Sequence, residues 1–210
     1  SYKLSIKFTD FYKKGAGSFH YPFGRPYYWD DKERNKWYFR KQLLNLPNSD
    51  YAECMSPNVL ISNANKISDI NDILPNYNFK TDTAYHFDAT KFGLWLKEHY
   101  CLPRGVKHVL ENVNLVQQND NGVSHINSHE CDLVIDCTGF KSMILNKVGG
   151  DFISYNDILP NDSAWATRMP YTNKEQQLEP YTNCTAIDNG WVWNIPSWER
   201  IGTGYVYSDK

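Results

Sequence analysis

The sequence predicts a mixed α/β fold that ends in an antiparallel sheet. Three observations carry this: apolar and polar residues alternate with period two at both ends, a helical repeat lies near the middle, and the apolar run "DLVIDCTGF" closes on Asp-x-Thr-Gly. Of the 210 residues, 41% are hydrophobic and 22% charged, which suffices for one sizeable core and predicts a single domain spanning 1–210.

In "SYKLSIKF" the residues Tyr2, Leu4, Ile6 and Phe8 fall on one side and Lys3, Ser5 and Lys7 on the other, the pattern of a half-buried strand. On that reading Lys3 projects away from the apolar face and Lys7 stands beside it. "KKGAGSFHYPFGRP" is rich in Gly and Pro and reads as an aromatic-bearing loop. A short helix follows in "DKERNKWYFRKQLLNL", with Trp37, Leu43 and Leu44 as its apolar side, and then irregular structure with short helical turns from Pro47 to Thr83.

Asp88 is placed to N-cap a helix in which Phe92, Trp95, Leu96 and His99 or Tyr100 repeat at three- and four-residue spacing. After Pro103 the sequence predicts a Val-rich strand, a turn at Asn119–Gly122 and a returning strand. "DLVIDCTG" then reads as a strand buried on both faces, with Gly139 turning its end. In the last third, "AWATRMP", "CTAIDNGWVWNIP" and "GTGYVYS" predict antiparallel strands joined by Asn/Gly and Pro turns.

The net charge of −2, without a block of like charge, excludes the electrostatic footprint of a nucleic-acid or membrane-surface binder. No apolar run approaches the roughly 18 residues of a membrane span. Five scattered cysteines without CxxC pairing argue against a disulfide frame or a metal site, which predicts free thiols and a cytoplasmic protein. The chain opens and closes within strand patterns, so both ends read as cut.

Two residue sets invite a functional reading beside a structural one. Trp191 and Trp193, one residue apart in a strand, share a face, where they either fill a core or wall off a space. Asp136-Cys137-Thr138-Gly139 is either a turn after a core strand or a strand end that meets a cofactor.

The succession of helix, Val-rich strand, hairpin and buried strand ending in Asp-x-Thr-Gly resembles the second half of the FAD-binding fold of glutathione-reductase-like flavoproteins. "WVWNIP" matches the W-x-W-x-I-P signature of the flavin-dependent halogenases of the tryptophan halogenase family. "SYKLSIKF", "HYPFG", "YHFDATKFGLWL", "DLVIDCTGF" and "GTGYVYS" follow that family's order. The resemblance covers nearly the whole chain but only the middle of a family member. It implies a partial glutathione-reductase-like fold with an antiparallel substrate-side sheet, cut from a chain of about 500 residues. The dinucleotide-binding βαβ unit with its G-x-G-x-x-G loop, and the C-terminal helical region with a glutamate partner to the lysine, lie outside it.

The resemblance further implies a chemistry. A separate flavin reductase supplies FADH2, and with O2 and a halide, chloride or bromide, the flavin generates hypohalous acid. A lysine then guides this oxidant to an electron-rich, indole-like substrate. By match that lysine is Lys3, with Lys7 structural; an ammonium on a rigid strand can hold and polarise an oxidant, and partial burial eases haloamine formation. Trp191 and Trp193, with Ile195 and Pro196 stiffening the neighbouring turn, keep substrate from the flavin. Tyr21 and Phe23 line the substrate side, and Tyr21 stands where tryptophan-specific members tend to carry histidine.

Val113, Thr138 and Gly139 are carried over as FAD contacts, no metal is implied, and a homodimer stays open. His86 and Asp88 read as helix-entry residues. An isolated piece is expected to bind FAD poorly and to be inactive. Two competing readings remain: a flavin monooxygenase that hydroxylates instead, and a non-enzymatic aromatic-rich module that binds through exposed Trp and Tyr.

Overall fold

The computed structural model describes residues 1–24, 31–45, 49–67 and 77–209. In chain order they form β1 (Tyr2–Lys3), β2 (Ser5–Thr9), β3 (Ser18–Pro22), α1 (Asp31–Leu44), α2 (Ser49–Met55), α3 (Pro57–Asn63), β4 (Ala84–Tyr85) and α4 (Ala89–Leu96). The chain continues with β5 (Val116–Asn119), β6 (Gly122–Ile126), β7 (His129–Glu130), β8 (Ser163–Met169), α5 (Lys174–Gln177), β9 (Tyr181–Ile187), β10 (Gly190–Pro196) and β11 (Ile201–Tyr207). They gather into two compact units, 1–92 with 159–210, and 93–158. The parts of the predicted aromatic loop, helix end and irregular segment at 25–30, 46–48 and 68–76 lie outside the described residues.

A six-stranded sheet in the order β3-β2-β9-β10-β11-β8 organises the first unit. Its last four strands are the predicted antiparallel set, and β2 joins them in parallel to β9, with Ser5 opposite Tyr181 and Phe8 opposite Cys184. Strand register assigns the two faces. Ile6, Phe8, Phe19, Tyr21, Thr182, Cys184, Trp191, Trp193 and Ile195 share one; Ser5, Lys7, His20, Tyr181, Asn183 and Pro196 share the other.

"SYKLSIKF" is not one strand. The chain bends at Leu4, whose amide donates to the Pro180 carbonyl at 2.7 Å and whose carbonyl accepts from the Phe23 amide at 2.9 Å. Consecutive residues Leu4 and Ser5 are therefore both 0% exposed, and the period-two pattern stops there. Before the bend, β1 pairs with β4 in a separate two-stranded sheet. The "SFHYP" part of the predicted loop is likewise a strand, β3, because its alternation matches the pleat of β2.

On the Ser5 face, α3 supplies Val59, Asn58 and Ser62 to the core. There Ser5 Oγ meets His20 Nδ1 at 2.8 Å and Ser62 Oγ at 3.1 Å. The predicted first helix forms as α1, and Trp37 packs edge-on against Tyr51 at 4.7 Å, although Leu43 and Leu44 stay exposed. Asp88 caps α4 as predicted, accepting from the amides of Thr90 and Lys91 at 3.0 and 3.1 Å.

In the second unit α4 runs on into a π turn, Lys97–Cys101, where Trp95 stacks on His99 at 5.3 Å. The Val-rich stretch is strand only from Val116, and the predicted turn joins β5 to β6. The expectation for "DLVIDCTG" is corrected. It forms no strand and has no ladder partner among the described residues, and Leu133 and Ile135 are 82% and 79% exposed. A strand buried on both faces needs neighbours and covering layers from elsewhere in the sequence, and the described residues of this unit supply none. What the run does form is its terminal turn. Both Asp136 oxygens accept bonds, from the Thr138 amide and hydroxyl on one side and the Ile144 and Leu145 amides on the other. These hold the Asp136 carboxyl well below the usual carboxylate range.

Among the described residues no helix is long and apolar enough to cross a membrane, and no three His, Cys, Asp or Glu side chains cluster as metal ligands. All five cysteines are free.

His20 and His86 give the fold an acid-sensitive core. Burial, assisted by the charges of Lys7 and Lys3 respectively, pushes each imidazole down to about 4. Each folded pKa lies below the unfolded one, so the unfolded chain takes up the extra protons. Stability is therefore full above pH 6.5 and declines as pH falls from about 6.5 to about 4. Urea unfolding of the full-length protein at pH 7 and pH 5 is expected to show that decline, and a His86→Gln variant to show less of it.

Candidate active site

Lys3 owes its position to the Leu4 bend. Its backbone pairs with Ala84 in β4, and its side chain turns inward, so that Nζ stands 5.3 Å from the centre of the Phe23 ring. This corrects the expectation that Lys3 projects away from the apolar side: it is half-buried, and burial lowers its pKa from the ordinary lysine value, opposed by Cys184. Lys7, expected beside it, lies on the opposite sheet face with Nζ 5.6 Å over Tyr181.

His86, read from sequence as a helix-entry residue, turns out to be a neighbour of Lys3. Its Nε2 pairs with Thr182 Oγ1 at 3.0 Å on the Cys184 face, and the Lys3 charge contributes to keeping it neutral. The His86 amide donates to the Ser1 carbonyl, and the Ser1 hydroxyl donates to the Pro196 carbonyl, each at 2.8 Å. These bonds bring the Lys3 segment to the end of β10.

Trp191 and Trp193 lie on the Cys184 face, half-buried, with ring centres 5.9 Å apart and tilted by 55°. Phe11 extends the aromatic layer, 6.1 Å from Trp191 and 5.1 Å from Phe8, and Phe8 stacks on Phe19. Ile195 shares this face, whereas Pro196 is buried on the other. Register explains the fit: Trp193 faces Cys184 on one side and Gly204 on the other, and a Cβ at Gly204 would lie 2.1 Å from the indole. The aromatic binding module predicted both indoles in water, and neither is.

The structure brings Lys3 and Phe23 into contact and puts Trp191, Trp193 and Ile195 on the face that carries Cys184. Tyr21 shares that face but is 64% exposed on the edge strand. Val113, Thr138 and Gly139 belong to the second unit. The Thr138 hydroxyl is committed to its own turn, donating to Asp136 and accepting from the Met143 amide at 2.8 Å. Gly139 has φ +66 and open space where a side chain would be. This turn fits a close approach by a flavin to backbone, while the fingerprint that would cradle a pyrophosphate is not in the sequence.

The family model for tryptophan halogenases matches residues 1–210. The chain belongs to the tryptophan halogenase family. Among curated relatives in this family, the tryptophan 6-halogenase SttH of Streptomyces toxytricini is 46% identical over 132 residues, 60% of this chain and 25% of its own length. The tryptophan 7-halogenase RebH of Lentzea aerocolonigenes is 31% identical over 231 residues, covering 100% of this chain and 42% of RebH. Among solved structures, VirX1 in its apo form matches with a TM-score of 0.88 at 40% identity, covering 99% of this chain and 43% of VirX1. The chain therefore spans less than half the length of these relatives. Over that span it has the mixed α/β fold of the flavin-dependent halogenases.

Sequence reasoning did not find His86 as a neighbour of Lys3, nor Cys184 beneath Trp193. The first depends on the β1–β4 pairing, which joins residues far apart in the chain and leaves no local trace, and the second on the register of the β9–β10 hairpin. For the tryptophan halogenase signature the close packing is testable. Gly204→Ala is expected to displace the Trp193 indole and cost about 1–3 kcal/mol, measured as a lower urea midpoint with quenched or shifted tryptophan fluorescence.

Proposed function

We propose that the protein containing this chain is an FAD-dependent halogenase of an electron-rich, indole-like ring, with Lys3 as the residue that receives the oxidant. The observation that carries this is the half-buried Lys3 ammonium over the Phe23 ring, on a backbone pinned by β4 and by the bend at Leu4. The printed names of SttH and RebH, a tryptophan 6-halogenase and a tryptophan 7-halogenase, support an indole-type substrate.

When bound in reduced form, FAD would supply two electrons to O2, so that one oxygen atom leaves as water and the other, with chloride or bromide, becomes hypohalous acid. A separate reductase furnishes the reduced flavin. The residues of this chain then act on the oxidant. As an ammonium, Lys3 donates a hydrogen bond to the oxygen of HOX and draws electron density from the halogen. As a neutral amine, which its lowered pKa makes more accessible, it exchanges a proton for the halogen and releases water. In either form the ring carbon takes the halogen as X⁺, and the proton it replaces leaves, so that HOX and ArH become ArX and water.

Phe23 presents an aromatic face beside the ammonium and orients a flat substrate there. Trp191 and Trp193 add bulk on the Cys184 face that excludes an organic ring from the flavin while a small oxidant passes. Tyr21 lines the outer, exposed edge of that face. Val113, Thr138 and Gly139 would contact the flavin, Gly139 through its open backbone.

In the full-length protein with a flavin reductase, O2 and bromide, mass spectrometry against an indole panel is expected to show one brominated product. Lys3→Ala should lower its rate by about 100-fold or more, while flavin oxidation continues and free hypohalous acid is trapped in solution. Halogenation that survives Lys3→Ala would remove the lysine from the mechanism. Hydroxylated product without halogen would replace this reading with a monooxygenase.

A further inference from the structure

Lys3 is positioned by two neighbours from separate stretches of chain. Its backbone pairs with Ala84, and its ammonium faces the ring of Phe23. Each stretch has few ladder bonds of its own: β4 is two residues long, and Phe23, past the end of β3, donates its amide to the Leu4 carbonyl and leads into Gly24 at φ +81. Both are tied to one side chain. Asn58, in the first turn of α3 and 1% exposed, donates from Nδ2 to the Phe23 carbonyl at 2.9 Å and to the Asp82 carbonyl at 2.7 Å. Both partners are carbonyl oxygens, so only the NH2 end of the amide can serve them and its orientation is determined.

Two further features mark this junction as built. The two stretches meet where Asn58 bridges them: a Cβ on Gly24 would lie 2.5 Å from that of Asp82. Asp82 is itself braced, accepting from the Asn78 amide at 2.7 Å. Asn58 Oδ1 has no hydrogen-bond partner among the described residues, so the fold tolerates a buried unpaired acceptor to keep the two donated bonds.

We propose that Asn58 is a positioning residue. It sets the separation of the Lys3 ammonium from the Phe23 ring, and thereby which carbon of the bound aromatic substrate takes the halogen. This rests on the halogenase reading of Lys3. A shift of about 1 Å between oxidant holder and substrate platform rivals the spacing of adjacent ring carbons, so small losses of register are expected to appear in product identity before they abolish turnover.

The test uses the full-length enzyme with reductase, O2 and bromide, and the variants Asn58→Ala and Asn58→Ser. The serine variant retains a single donor and serves if the alanine variant does not fold. Folded variants are expected to give mixed positional isomers from a substrate that the parent brominates at one carbon. KM should rise about tenfold while kcat falls less. A second readout needs no turnover: the pH dependence of Lys3 acylation, followed by peptide mass spectrometry, should move toward that of an ordinary lysine, with exposed Lys13 unchanged. Folded variants with the parental isomer, KM and Lys3 profile would overturn the proposal alone. A parent enzyme that makes no halogenated product would overturn both it and the halogenase reading.

Discussion

The bend at Leu4 is the constraint on which the site depends. One amide reaches back to Pro180 and one carbonyl accepts from Phe23, so a single buried residue joins β2 to the start of β9 and to the end of β3. The bend also puts Lys3 and Lys7 on opposite faces of the six-stranded sheet, though an unbroken strand would place them on one face. Four residues apart, the two lysines meet different environments: Lys3 lies over Phe23 near Cys184, and Lys7 lies over Tyr181. Chemistry assigned to one does not transfer to the other.

Burial then tunes what the bend has placed. Desolvation disfavours the charged forms of Lys3, His20 and His86 alike, and each histidine has a lysine close enough to reinforce its neutrality. Each neutral imidazole pairs one ring nitrogen with a hydroxyl, His20 with Ser5 and His86 with Thr182, which ties β2 to β3 on one face and the residue after β4 to β9 on the other. The same medium makes an ammonium easier to deprotonate and a neutral histidine easier to keep. One physical effect thus serves both the fold and the proposed reaction.

The tryptophan pair depends on what lies beneath it. Gly202 and Gly204 fall on the Trp193 face of β11, and the second leaves the gap that the indole occupies. Large and small residues on adjacent strands interdigitate here, so bulk that would otherwise stand in solvent becomes a packed wall. Asn58 plays a comparable part on the other face of the sheet, where a buried amide joins backbone segments that have few contacts of their own.

Much of this was legible in the sequence because it is local. Alternation marked the four antiparallel strands, Asp88 marked the start of α4, Asn119 to Gly122 marked the hairpin, and "WVWNIP" put two indoles on one face and, with its companion motifs, pointed to the family. These signals depend on neighbours within a few residues, where backbone sterics and hydrogen bonding act directly. Tertiary structure alone decided that "SYKLSIKF" breaks at Leu4, that β2 runs parallel to β9 and that His86 and Cys184 adjoin Lys3, and among the described residues "DLVIDCTG" has no ladder partner. Such outcomes depend on partners distant in sequence or outside the described residues. A strand's pattern states which faces want burial but not which other strand, if any, will provide it.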